Sequence, residues 1–319
     1  MTIEKNESFV SQLVRNAVCG QLVAGIALLP AVSVAAATPN DSWSIVDGLT
    51  VETFAQKTLA ALRTTGVSVS VSESAIREAN QTAGLLYDSS AVDVIQVGAG
   101  DALTTILVPK NLVLSSVSIA TKGKAVTVDV EADTTSLQPG PTAAVAPTGS
   151  GFGSAYWNMY SNPPCVWQSN NTAWQNTCYK LSSLQGDSDP NHNWVSIEHF
   201  ATAKSKSTWV LYQHSVSSVR GSGAASMDQT DYSPRADQSH GNCTSTTLGV
   251  SAGGVSLSST HEACDTWDVT IYPSTDCHMK NEWQGSANMA EREVAYMSTC
   301  IVPSSGSVWW SLGNSYSAK

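Results

Sequence analysis

Apolar and polar positions alternate over short runs in the second half of the chain, whereas the first half mixes that two-residue period with helical spacing. Leu49, Phe54, Leu59 and Leu62, with Thr50 as a cap and Gly66 as a stop, predict an amphipathic helix over about 50–64. Val67 to Ser72 alternates valine with serine and predicts a half-buried strand, and Glu73 to Ala83 a second helix. Strands are expected at Val92–Val97, Leu103–Val108, Leu112–Ala120 and Ala125–Glu131, the last two joined as a hairpin across Thr121 to Lys124.

Beyond residue 154, runs rich in β-branched and aromatic residues predict a different architecture. Strands are expected at Trp194–His199, Trp209–Gln213, Thr244–Val250, Gly254–Ser258, Trp267–Tyr272, Glu293–Val302 and Val308–Leu312. Clusters of Gly, Ser, Asn, Asp and Pro separate them, as in all-β sandwiches and barrels. Residues 287–297 fit a helix as well as a strand. Residues 221–242 carry almost no aliphatic side chain and read as a long loop.

Between the halves, residues 136–154 are rich in Pro, Gly and Ala without periodicity, the composition of an extended linker. The expected fold class is therefore an α+β N-terminal domain over 38–135, or a pro-region there, followed by a disulfide-stabilised all-β domain over 155–319. Ahead of both, Ala17 to Ala37 is uncharged and largely apolar and ends in the small residues Ala35 and Ala37. That is the layout of a secretory signal peptide over 1–37, cleaved after Ala37. A membrane anchor of similar length is the alternative, and Pro30 and the small-residue end speak against it. No other stretch is apolar enough to span a bilayer, so a secreted protein without a membrane span is expected.

Seven cysteines occur in the chain, and loss of Cys19 with the leader leaves an even set. In a secreted chain such a set reads as disulfides whose connectivity sequence cannot choose. Pairing sequence neighbours gives Cys165–Cys178, Cys243–Cys264 and Cys277–Cys300. Zinc is disfavoured because the intervals are wide and no C-x-x-C pair exists. The formal net charge of −10, with only 13% charged residues, leaves no basic stripe to displace counterions from phosphates. Nucleic acid is thus not an expected partner.

Several motifs suggest chemistry. Asp187, Asp189, Asn191 and Asn193 recur at alternate positions with Glu198 at the twelfth, an order that resembles the calcium loop of EF-hand proteins. Calcium is the cofactor that this order implies. His192 replaces the turn glycine and Pro190 stiffens the loop, and the same residues also form turns without any ion. Gly249-Val-Ser251-Ala-Gly253 matches the nucleophile elbow of α/β-hydrolases, but an alternating strand follows it where a helix is required. A glycine hairpin turn is the competing reading. His261-Glu-Ala-Cys-Asp265 begins like a zinc-protease motif and lacks its second histidine. Glu198, Glu262 and Glu282 neighbour aromatic or histidine residues, which would raise a carboxyl pKa and suit glycoside hydrolysis. No catalytic residue can be assigned from these patterns.

Aromatic density is the remaining feature. Nine of the ten tryptophans follow residue 150, and Trp157, Trp167, Trp174, Tyr179 and Trp194 lie among Asn, Gln and Ser. Flat rings beside amides suit sugar rings, whose C–H faces stack while their hydroxyls bond. A disulfide-rich core uses the same rings. The expected function is extracellular binding of a glycan, cell-wall or other surface ligand through these residues. The alternatives are a secreted hydrolase, by a carboxylate pair or through Ser251, and a toxin-like effector released from a pro-region.

Overall fold

In a computed structural model, the described residues are 43–46, 49–54, 69–134 and 155–319, apart from 160–164 and the single positions 86, 89, 99, 188, 190 and 274. The leader, its cleavage site and the 136–154 seam lie outside them. Among the described residues, seventeen strands and one α-helix are formed: β1 (Trp43–Val46), β2 (Leu49–Phe54), α1 (Val69–Thr82), β3 (Val92–Val97), β4 (Thr104–Pro109), β5 (Leu112–Lys122), β6 (Ala125–Thr134), β7 (Tyr156–Met159), β8 (Cys165–Ser169), β9 (Ala173–Gln185), β10 (His192–Ser205), β11 (Leu211–Arg220), β12 (Asp228–Ser233), β13 (Gln238–Ala252), β14 (Val255–Ile271), β15 (Met279–Ala287), β16 (Arg292–Pro303) and β17 (Trp310–Ala318). The described part is all-β in character, built on two antiparallel sheets. The larger runs β1-β2-β5-β6-β17-β11-β15-β14-β13, and the smaller β12-β16-β10-β9-β8-β4-β3, with β7 on the far end of β9.

The first-half strands β3 to β6 form as the period-two pattern requires, including the hairpin turned at Gly123 with φ +61°. The expected helix from Glu73 lies in α1, and the other two expectations there differ from the structure at their described residues. Residues 50–54 are strand, paired with Val117–Thr121 of β5, where the helix over 50–64 was expected to begin, and 55–64 lie outside the described residues. The valine-serine run enters α1 in place of a strand. Six residues of alternation are outweighed by the following Ala75, Ile76 and Ala79, whose helical spacing buries both alanines against Leu107, Trp167 and Trp174. Gly84 at φ +64° ends the helix.

The composition seam does not separate two sets of strands. β6 pairs with β17 and β4 with β8, so residues on both sides of it build both sheets. Cutting the chain at the seam would strip each sheet of paired strands. In the second half, 287–297 resolves in favour of strand, and the expected long loop over 221–242 contains β12 and the start of β13. β8, β9 and β15 were not legible because their buried polar residues break the alternation.

The register sorts side chains between the sheets. On β9 and β10 the odd-numbered residues face the larger sheet: Gln175 donates to the Ser315 carbonyl (3.1 Å), and Gln168 beside it on β8 donates to Asn314 (2.9 Å). The even-numbered residues face outward, where α1 covers one end. Near β16 the larger sheet curls round the edge of the smaller one. Trp267 Nε1 donates to the Glu293 carbonyl (3.0 Å) and Asn281 Nδ2 to that of Ala295 (2.8 Å). The β13–β14 hairpin thereby reaches the outer face of the smaller sheet. The three disulfides join Cys165–Cys178, Cys243–Cys264 and Cys277–Cys300, as expected from sequence neighbours.

Candidate functional site

The five aromatic residues proposed to bind a ligand fall into three environments. Trp167 and Trp174 lie beneath α1, exposed by only 0% and 4%. Tyr179 points between the sheets, opposite His199 in the register, and is equally buried. None of these three can meet a ligand without unfolding, which corrects that part of the expectation. Their Asn and Gln neighbours, expected to bond a sugar's hydroxyls, are not free to do so. Gln168, Asn170 and Gln175 are themselves buried and bond inside the protein, through Gln168 Nε2, Asn170 Oδ1 and Gln175 Nε2.

Trp157 and Trp194 differ, being half-buried. Trp157 pairs with Leu184 across β7 and β9. Val195 pairs with Ser183, so continuing that register sets Trp194 opposite Leu184 from the other side. Both rings thus flank one leucine on the outer face. Trp157 Nε1 donates to the Val255 carbonyl (3.2 Å), which orients that ring against the tip of the β13–β14 hairpin.

The calcium-loop order does not converge. Asp187 accepts from the Asp189 N–H (3.2 Å), and Asp189 from the N–H of Asn191 (2.9 Å) and the ring of His192 (3.1 Å). Asn193 donates its amide to the Ser304 carbonyl (3.2 Å). These are turn-forming bonds. Glu198 lies well inside β10, where straight strand geometry carries it away from the loop, and it serves another cluster. The set Asp187, Asp189, Asn191, Asn193 and Glu198 is therefore not a single ligand shell. Among the described residues, the grouping with metal-ligand spacing is Cys243, Glu262 and Cys264, whose two sulfurs are already joined to each other.

Ser251 stands on β13 beside the hairpin turn formed by Gly253 (φ +54°) and Gly254 (φ +80°), so strand follows turn as the hairpin reading requires. Its backbone N–H and hydroxyl both reach Asp231 Oδ2, at 2.8 and 3.3 Å, and no histidine joins them. The nucleophile elbow needs a histidine between serine and acid, and Ser251 bonds the acid directly.

The densest chemistry is a cluster that local spacing did not reveal. His261 of β14 bonds Glu198 of β10 through Nε2 (3.0 Å) and Glu293 of β16 through Nδ1 (2.6 Å). Lys180 also reaches Glu198 (3.0 Å), Phe200 packs against the His261 ring, and Ser259 Oγ lies 3.0 Å from Nε2. Serine, histidine and glutamate are thus connected in the order of an acyl-transfer triad. The second carboxylate defeats it. Burial alone would lower the His261 pKa, but hydrogen bonds and charge from Glu198 and Glu293 outweigh that and raise it to about 9. Both ring nitrogens then donate, and an imidazolium has no lone pair with which to activate Ser259. Burial would raise the Glu198 pKa, yet the bonds from His261 and Lys180 hold it below the usual range. Glu282 is likewise held down, as Lys280 overcomes its burial. The expectation of raised carboxyl pKa values thus reverses for both.

Against known proteins, the chain matches no family model and no curated sequence. The cluster's chemistry therefore rests on its geometry, which is that of an ionic pin between the two sheets. Among the described residues, no helix is long and apolar enough to cross a membrane.

Proposed function

We propose that this is a secreted protein, exported by its 1–37 leader, that binds an extracellular polysaccharide at the end of the fold carrying Trp157 and Trp194. The observation that supports this reading is the pair of half-exposed indoles on either side of Leu184, one of them oriented by its bond to Val255. Two rings held on one rigid sheet face can stack on successive sugar units with little ordering cost. The polar turn carrying Asp187, Asp189 and His192 follows β9 directly and offers acceptors and a donor to sugar hydroxyls. Three disulfides suit an oxidising exterior.

Co-sedimentation of the oxidised protein with insoluble polysaccharides and cell walls tests the reading. Saturable binding is expected, unaffected by a calcium chelator, because Glu198 bonds His261 and Lys180 away from the loop and leaves it without a full ligand set. Trp157→Ala and Trp194→Ala should each weaken it by roughly tenfold, about 1.4 kcal/mol, as for loss of one stacking ring. Binding to none of the polymers, or wild-type affinity in the double variant, would defeat the proposal.

A further inference from the structure

Two histidines between the sheets take no part in the clusters above. His199 stands on β10 of the smaller sheet and His214 on β11 of the larger, and both are fully buried. His199 Nδ1 lies 3.3 Å from the Tyr296 hydroxyl of β16, and its ring reaches the Ser217 backbone on β11, so it bridges from one sheet to the other. His214 stands in register between Trp283 of β15 and Tyr316 of β17, with its ring centre 5.5 Å from that of Trp283. Among the described residues, neither ring nitrogen of His214 has a hydrogen-bond partner.

The groups facing this pair offer no counter-charge. Tyr179 of β9 and Tyr296 flank His199 in the register, and Tyr316 flanks His214. Burial pushes all three hydroxyls up, so they stay neutral in acid. Arg292 of β16, itself paired with Asp265 (3.0 Å), lies over the Trp283 ring (6.0 Å) and sets a positive charge near His214. The buried carboxylates point elsewhere. Glu198 and Asp231 bond the β13–β14 hairpin, and Glu282 alternates with Asn281 and Trp283, which face inward. An imidazolium at either position would be a buried cation without an acidic partner. Burial accordingly lowers both pKa values from 6.5 to about 3; Arg292 adds to this at His214, and the Ser217 backbone offsets part of it at His199. Once the sheets part, water returns each ring to its ordinary proton affinity. The closed form is therefore fully favoured above 6.5, and opening gains as the pH falls from there towards about 3.

We propose that His199 and His214 form an acid trigger between the sheets: on acidification each takes up a proton, and the two sheets part. Cys277 lies in the connection from β14 to β15 of the larger sheet and Cys300 on β16 of the smaller, so their disulfide keeps the parted sheets tethered. Each ring weakens the closed form about tenfold per pH unit below its ordinary pKa, and the pair about a hundredfold. Between about 4.5 and 6.5 the ionic contribution of His261 and Glu198 is complete, so that cluster does not account for a loss in this window. The trigger is independent of polysaccharide binding at Trp157 and Trp194.

Urea unfolding of the full oxidised chain at about pH 6.5, 5.5 and 4.5 provides the test, comparing wild type with His199→Phe, His214→Phe and the double variant. Relative to the double variant, the wild type should lose about a hundredfold more of its folding constant per pH unit, and each single variant about tenfold more. These slopes do not depend on how stable each variant is at neutral pH. Parallel pH profiles for wild type and double variant overturn the proposal. A second measurement needs no variant: imidazole resonances of the isotope-labelled wild-type protein, followed with binding of an apolar dye. His199 and His214 should keep their neutral-form shifts while the protein is closed, then move to the protonated form in the step at which dye binds. Titration of either ring near 6.5 without dye binding also overturns the proposal.

Discussion

Replacing His261 with alanine should destabilise the protein by about 3–5 kcal/mol, the usual cost of removing one partner from a buried ionic group. The loss exceeds that of the ring's packing, because Glu198 and Glu293 are left facing each other without the cation that joins them. Glu198→Gln in the same background should recover part of the loss, so the double-mutant cycle is expected to show strong coupling. Urea unfolding of the four proteins measures it, and additive effects would mean that the pin contributes little.

The same cluster sets a pH window. His261 has a folded pKa raised from 6.5 to about 9, so its contribution is fully present below 6.5 and is lost as pH rises through about 9. A rise of that size corresponds to roughly 3 kcal/mol. Glu198 has a depressed folded pKa, so its contribution is present above its ordinary 4.5 and is lost as pH falls through the folded value. Both are complete between about 4.5 and 6.5. The wild type should therefore lose stability on going from pH 6.5 to alkaline pH, and His261→Ala should lose much less. Parallel pH profiles for the two proteins would show that the ring is not the titrating group.

Trp167→Ala is the second large effect, and it separates the core from the ligand site. The ring is fully buried under α1, where Ala75, Ala79 and Trp174 surround it. Truncation should cost about 3–5 kcal/mol through lost burial and the cavity left behind. Polysaccharide binding by the folded fraction should not change. Trp194→Ala should do the reverse, with small loss of stability and weakened binding. Denaturant midpoints and co-sedimentation on the same preparations read both quantities. A Trp167→Ala protein as stable as wild type would return that ring to the candidate surface.

Much of the β architecture was legible because a two-residue period is a local property. β5 and β6, the hairpin turned at Gly253 and Gly254, and the strands around Trp194 and Trp267 all carry it in consecutive residues. The strands that were missed, β8 and β9, hold Gln168, Gln175 and Thr177 in the interior, where amide bonds to β17 replace apolar packing. Polarity there signals a partner across the fold, and no window along the chain contains that partner. The misassigned Trp167, Trp174 and Tyr179 follow from the same cause, since their amide neighbours suggested a sugar-binding surface.

The structure settled the cysteine pairing, whereas the amino-acid sequence by itself determined the disulfide-linked β character of the described chain and the hairpin turns. Each of these depends on residues close together along the backbone. Only the tertiary structure decided which rings are core, that Glu198 leaves the acidic loop, and that His261 meets partners 63 and 32 residues away. It also decided that the seam near residue 150 does not divide the sheets. These outcomes depend on which sheet face meets which element, and strand order and curl bring together groups that no local spacing relates.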